Sequence, residues 1–335
     1  MITNGDEALE VVPVRHVGRL IGSIVVLVLA AMLVHTLLSH VPTGTFSCHK
    51  VGVKRVCVPN STWRFSWDVV RQFFLTSEML HGLLLTLELT VCAMAIGIAL
   101  GVLVAVMRVS PSRLLSSPAW LYTWFFRGTP VYVQILFWFN IAALFPVLTI
   151  GVPFFHVTFL SINSNSVFTP ITAGIVALGL NEAAYMSEIA RAGLISVDEG
   201  QVEAATAIGM SRSQTLRLVI LPQAMRVVIP PTGNEMISML KTTSLLAAIS
   251  VPDLTGVAEN IYSANYKVMA LLITASLWYL IVTTVLSIGQ FYLERHFGRG
   301  ALRNPPPTPL QRLRADLKGI GEKFPARHAK VEVKS

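Results

Sequence analysis

QVEAATAIGMSRSQTLRLVILP, residues 201–222, is a half-polar stretch lying between long apolar runs. Glu203, Ala204 and Ala205 open a short helical pattern, and Gly209 can end it by taking a positive φ at little steric cost. Ser211 is placed to cap a second helix that carries Leu216, Val219 and Ile220 on one stripe. Two short helices joined at a glycine make a compact knob. The small side chains of Ala204 and Ala205 let a partner's backbone come close, and Glu203 offers a charge for pairing. Flanked by runs long enough to cross a bilayer, so polar a segment needs protein or water around it, not lipid.

Composition sets the class around that knob. Hydrophobic residues make up 53% of the chain and charged ones 13%, which reads as an all-α membrane protein. A spanning helix takes about 20 residues, because every backbone amide in hydrocarbon must be hydrogen-bonded within its own segment. Six runs qualify: 17–39, 80–107, 119–148, 170–192, 228–251 and 267–293. An even number places both termini on one side. Arg15, Arg19, Arg108, Arg113, Arg191, Arg212, Arg217, Arg226 and a basic tail put that side in the cytoplasm by the positive-inside rule. The loop 40–79 opposes the rule with Lys50, Lys54, Arg55, Arg64 and Arg71, whereas the outer loops 149–169 and 252–266 hold no Lys or Arg. The formal charge of +8 is then mostly a basic inner rim. Nucleic-acid binding is excluded by the tail, which does not interleave aromatics with its basic residues.

The organisation follows. Residues 1–16 are a cytoplasmic N-terminus, 17–39 a transmembrane anchor, 40–79 an extracytoplasmic loop, 80–294 the transmembrane body and 295–335 a basic cytoplasmic tail. The anchor is longer than a signal-peptide core, and Ser39-His40-Val41-Pro42 offers no small-residue cleavage pattern, so it is expected to be retained. Cys92 lies inside an apolar run and reads as packing. Cys48 and Cys57 fall in the first outer loop, where an oxidising compartment permits a disulfide; two free thiols are the alternative.

The spacing from Glu203-Ala204-Ala205 through Gly209 to Leu221-Pro222 resembles the EAA loop of bacterial ABC importer permeases: EAA, three residues, Gly, nine residues, an aliphatic position, any residue, Leu-Pro. Val219 stands at the aliphatic position, where isoleucine is more usual. FFRGTPVYVQ (125–134) is similar to the FRGTP signature of the polar amino acid branch, and it is read as the start of the third span, with Arg127 reaching the inner headgroups. HGLLLTLELT (81–90), AAYMSEIARAG (183–193), PPTGNEMISMLKTTSL (230–245) and VPDLTG (251–256) extend the likeness over most of 80–294. The resemblance implies a five-helix type I permease core with an added N-terminal helix, in the bacterial inner membrane. It implies a second permease subunit, homomeric or heteromeric, two ABC ATPase subunits docked on residues 201–222, and an extracytoplasmic solute-binding protein. Polar amino acids are the implied cargo, with opines and other nitrogenous solutes also open.

Several chemistries find no footing in the sequence. There is no G-x-x-x-x-G-K-[ST], so ATP hydrolysis is expected on a separate chain and no cofactor on this one. No spaced Cys/His cluster or nucleophile elbow points to a metal or acyl-transfer site, and His156 reads as a lone surface residue. An ion-coupled secondary transporter is the alternative reading; it normally shows a duplicated bundle, and no internal repeat is evident.

Charges at membrane depth usually face protein or a water-filled path, which singles out Glu88, Glu182, Glu188 and Lys241 as candidate path residues. Tyr185 and Met186 share the helical face of Glu182, giving a polar group beside deformable apolar surface. Glu188 stands three residues before Arg191, where a local ion pair is the plainer explanation. Lys241 can pair with one of these glutamates across the bundle. Glu88 lacks a local partner, and a buried pair at a subunit contact is its structural reading.

Overall fold

The structure, a computed structural model, describes residues 17–51, 54–63, 65–152 and 157–297. In chain order the elements are α1 (Val17–Leu38), β1 (His40–Val51), β2 (Lys54–Trp63), α2 (Trp67–Phe74), α3 (Ser77–Val109), α4 (Arg113–Gly128) and α5 (Val131–Phe139). A 3-10 turn, Ile141–Ala143, leads to β3 (Val147–Val152), β4 (Val157–Asn163), α6 (Ser164–Val167), α7 (Pro170–Ile195), α8 (Glu199–Ala207) and α9 (Arg212–Thr215). A π-helical turn, Leu216–Ile220, runs into α10 (Leu221–Thr242), a 3-10 segment Thr243–Ile249, α11 (Leu254–Asn265) and α12 (Val268–Phe297). The described residues divide into two compact units, one within 17–84 and 252–278 and the other within 85–251 and 279–297.

In the first unit β1 and β2 pair antiparallel, with Cys48 directly opposite Cys57 in the register. Their side chains lie outside the described ones, as do residues 1–16, His156 and the tail from 298 onward. α2 is held by Trp278, whose ring stacks on Phe74 at 4.8 Å between centroids while its indole N–H donates to the Phe74 carbonyl at 2.8 Å. Asp253 caps α11 by accepting from the Gly256 amide at 2.9 Å.

The second unit is organised on α7. Thr169 caps its start, Pro170 occupies the first turn, and twelve of its side chains are buried, most of them small. Small residues are what let helices approach closely in a bilayer. A Cβ on Gly97 of α3 would stand 2.4 Å from the Glu182 Cγ, and one on Gly193 would meet Val228 of α10 at 2.3 Å. Leu89, Ala93, Ile135, Leu178, Met186, Met239 and Leu246 form the core between these helices.

The expectation of an all-α chain holds in the main, with two β-hairpins as the correction. The second hairpin begins inside the expected span 119–148. Hydropathy does not separate a buried strand from a buried helix, and the β-branched and aromatic run VLTIGV…VTFLSIN favours strands. The rest of that span is also broken: α4 ends at Gly128 and α5 begins at Val131. The fifth expected span, 228–251, starts earlier, at Leu221, and leaves the α-helix at Thr242. Cys92 is exposed on α3, so it is not packing within this chain. Among the described residues, two helices are apolar and long enough to cross a membrane by length and composition, Ser77–Val109 and Val268–Phe297; α1 contributes a shorter apolar stretch, Val25–Thr36.

Candidate functional site

The break after α4 begins with a missing donor. Pro130 has no N–H, so the carbonyl of Phe126, four residues back, loses its helical partner. Two side chains replace it: Gln134 Nε2 donates to the Phe126 oxygen at 2.9 Å and Asn181 Nδ2 at 3.0 Å. Gln134 Nε2 also reaches the Thr129 carbonyl and hydroxyl, at 3.2 and 2.7 Å, and its Oε1 accepts from Asn181 at 3.2 Å. Gln134 is itself buried. A backbone interruption among membrane helices is tolerable only when its free groups are satisfied in this way.

The break opens into a cavity of about 530 Å³. Arg127, Gly128, Thr129, Pro130 and Val131 form one wall; Asn181, Glu182 and Tyr185 of α7 another; Glu235, Ser238, Met239 and Thr242 of α10 the third. The Arg127 guanidinium lies over the Tyr185 ring, 5.2 Å from its centroid, which fixes where that positive charge points. Glu182 is 3% exposed, and its Oε1 has no hydrogen-bond partner among the described residues. A buried carboxylate oxygen left open is rare in a folded protein and marks a place for a missing donor. Pro130 and Val131, at the start of α5, line the same wall, and a helix start favours an anion. Two carboxylates, one guanidinium and a helix start suit a small zwitterion with a cationic side chain.

The four candidate path residues separate. Glu182 lines the cavity, and Tyr185 shares that face as expected, but Met186 turns into the core, 2% exposed. Glu188 is absorbed in an ion-pair cluster: its Oε1 accepts from Arg108 at 3.1 Å and its Oε2 from Arg191 at 2.7 and 2.9 Å. The i, i+3 pair with Arg191 is formed, with Arg108 as a partner the sequence did not disclose. The side chains of Glu88 and Lys241 are exposed, with no ion-pair partner among the described residues, so the pairing of Lys241 with a glutamate across this bundle is not formed. Two cavity residues escaped the sequence reading. Arg127, read there only as a headgroup contact, stands in the cavity wall, where the FRGTP segment forms a break between α4 and the start of α5. Glu235 was overlooked, although the rule that picked out Glu88 applies equally to an acid within the 228–251 run.

The segment 201–222 is built much as its sequence implies. Asp198 caps α8 through the Gly200 amide, Gly209 takes φ +80°, and Ser211 and Gln214 form a reciprocal capping box at the start of α9. Two details differ. α9 does not stop; it continues through the π turn into α10, with Leu221 and Pro222 exposed at the junction. Glu203 and Ala204 are exposed, whereas Ala205 is buried against its own chain, and Val219 and Ile220 are half-buried while Leu216 is exposed.

Comparison with known proteins adds to this geometry. The family model described as "Binding-protein-dependent transport system inner membrane component" matches residues 97–299. The arginine transport system permease protein ArgU of Corynebacterium glutamicum is 39% identical over 318 residues, covering 95% of this chain and 92% of its own. The nopaline transport system permease protein NocM of Agrobacterium fabrum is 36% identical over 223 residues, 65% of this chain and 89% of its own. A crystal structure of an amino acid ABC transporter with histidines aligns at a TM-score of 0.58 and 34% identity, covering 68% of this chain and 98% of that one.

Proposed function

Since the chain belongs to the family of binding-protein-dependent transport system inner membrane components, we propose that it is the permease subunit of an ATP-driven importer of polar amino acids, arginine and its cationic relatives first among them. The observation that carries the cargo assignment is the open Glu182 oxygen in a cavity shared with Glu235 and Arg127. A substrate carboxylate fits Arg127 and the start of α5, and the cationic groups fit Glu182 and Glu235. Asn234, Ser238 and Lys241 are exposed at helical spacing along α10, and they extend the polar wall beyond the cavity. ArgU at 39% identity supports the same cargo class.

In this reading the six apolar runs cross the inner membrane with both termini in the cytoplasm, and a second permease subunit completes the path. Residues 201–222 receive the ATPase: Glu203 and Ala204 are exposed on α8, and Gly209 turns the chain so that α9 stands beside it. ATP is bound and hydrolysed by the partner, and a solute-binding protein delivers cargo from outside. Cys48 and Cys57, opposite each other in the first hairpin, form a disulfide in the extracytoplasmic space.

The test is uptake in proteoliposomes containing this chain with its ATPase and binding-protein partners. Labelled arginine should accumulate only with internal ATP, with histidine, glutamine, glutamate and nopaline as competitors. Accumulation driven by a proton or sodium gradient without ATP would establish the secondary-transporter reading instead. Stronger competition by glutamate than by histidine would overturn the cationic assignment while leaving the permease reading intact.

A further inference from the structure

The β3–β4 hairpin presents a surface that the transport reading does not use. Between Arg127 and Glu182 the chain carries no Asp, Glu, Lys or Arg. The first hairpin, by contrast, contains Lys50, Lys54 and Arg55. In β3–β4, Leu148 stands opposite Ile162, and Leu160 shares the Ile162 face by the two-residue period of a strand. Thr149, Ser161 and Asn163 fall on the other face, with Val147 opposite Asn163 at its end. Leu160 and Ile162 are exposed, and Phe159, 72% exposed, stands at the register shift between the strands. Val133 and Phe137 of α5 and Leu144 and Phe145 of the connection are exposed as well. The hairpin's base is pinned: the Ser164 amide donates to the Pro146 carbonyl at 3.0 Å, its hydroxyl donates to the Phe145 carbonyl, and Trp138 stacks on Phe168 at 5.8 Å.

A lone two-stranded hairpin is marginal in water, so it needs a surface to rest on. Its outer edges keep unpaired N–H and C=O groups, so it cannot sink into hydrocarbon. The level that satisfies both demands is the lipid–water interface. On the topology proposed above, we infer that the β3–β4 hairpin lies in the interface of the outer leaflet, with Leu148, Leu160 and Ile162 against acyl chains and Thr149, Ser161 and Asn163 toward water, as a monotopic anchor next to α5 and α7 in the chain. A soluble partner's docking face would carry a polar rim; a surface free of formal charge fits lipid.

Spin labels on cysteines introduced singly at Leu160, Ser161 and Ile162 test this in phosphatidylcholine–phosphatidylglycerol proteoliposomes, in a Cys48→Ser, Cys57→Ser, Cys92→Ser background. Labels at 160 and 162 should collide several-fold more with oxygen than with a water-soluble nickel chelate, and the label at 161 should reverse that preference. Free access of the chelate to all three overturns the inference, and so does low access of both reagents at 160 and 162, which means burial in protein. The unaltered protein supplies a second measurement. A phospholipid with a photoreactive group near its glycerol should attach to the 147–163 peptide as it does to α3 and α12. Attachment to those helices without attachment to the hairpin refutes the interfacial placement.

Discussion

Glu182 and Glu188 lie less than two turns apart on α7, yet their surroundings are opposite in kind. Glu188 spends both oxygens on Arg108 and Arg191, which tie the C-terminal ends of α3 and α7 together. Glu182 is more deeply buried and keeps one oxygen open toward a cavity that holds a second acid and a guanidinium. A satisfied carboxylate holds a structure; an open one in a polar cavity is a vacancy for a donor that comes and goes. In the proposed reading the same helix offers its middle to cargo and its C-terminal end to the segment that meets the ATPase, since α8 begins four residues after α7 ends.

The largest effect that can break this contrast is at Glu182. Glu182→Gln keeps the shape and removes the charge opposite a cationic substrate, which costs about 2 kcal/mol or more for a desolvated pair, roughly thirty-fold in transport. Arginine uptake should fall by that factor with the subunit still present in the membrane at its normal level. Equal uptake by the variant and the parent would make Glu182 a structural residue like its neighbour.

Gly209→Val comes next and acts on the other region. Nothing lies within 4 Å of a Cβ at Gly209, so the cost is conformational, the strain of φ +80° on a β-branched residue, about 1 to 3 kcal/mol. ATP hydrolysis stimulated by the binding protein should uncouple from uptake, while arginine still protects a cysteine at Ser238 from labelling. Normal uptake by this variant would remove residues 201–222 from the coupling role.

What the sequence made legible in these two regions differs for a physical reason. The capping box of Ser211 and Gln214, the cap at Asp198 and the turn at Gly209 are local interactions, complete within a few residues, so the knob can be read off the chain. The cavity is assembled from α4, α7 and α10. Pro130 announces a lost hydrogen bond, but only the approach of Asn181 and Gln134 turns the loss into a stable break, and only the break puts Arg127 in a cavity wall. Depth alone selected Glu88 and Lys241 without showing which way each points; both are exposed in this chain. The hairpins were hidden for a third reason, since a hydropathy window scores strand and helix alike.

Glu188→Gln sharpens the contrast from its structural side. Two arginines lose their shared counter-ion at a site whose side chains are 17 to 34% exposed, so the loss is near the upper end for a surface pair, about 1 kcal/mol. Thermal stability of the purified subunit should drop by a few degrees, with the competition order among amino acids unchanged. A changed order of substrates would bring Glu188 into the path and dissolve the distinction.

Glu203→Ala should produce the smallest change. Glu203 is exposed on α8, and no shared cluster fixes its charge in this chain. Its contribution arises at the ATPase surface, where a partly exposed pair is worth about 0.2 to 1 kcal/mol. Uptake should fall less than five-fold, and the deficit should shrink when the ATPase is supplied in excess, because weaker docking is restored by mass action whereas a damaged cavity is not. Glu182→Gln gives the reference: its deficit should be indifferent to the amount of ATPase. If excess ATPase rescues both variants alike, the two carboxylates belong to one function, and the division of α7 and its neighbours into a cargo region and a coupling region is wrong.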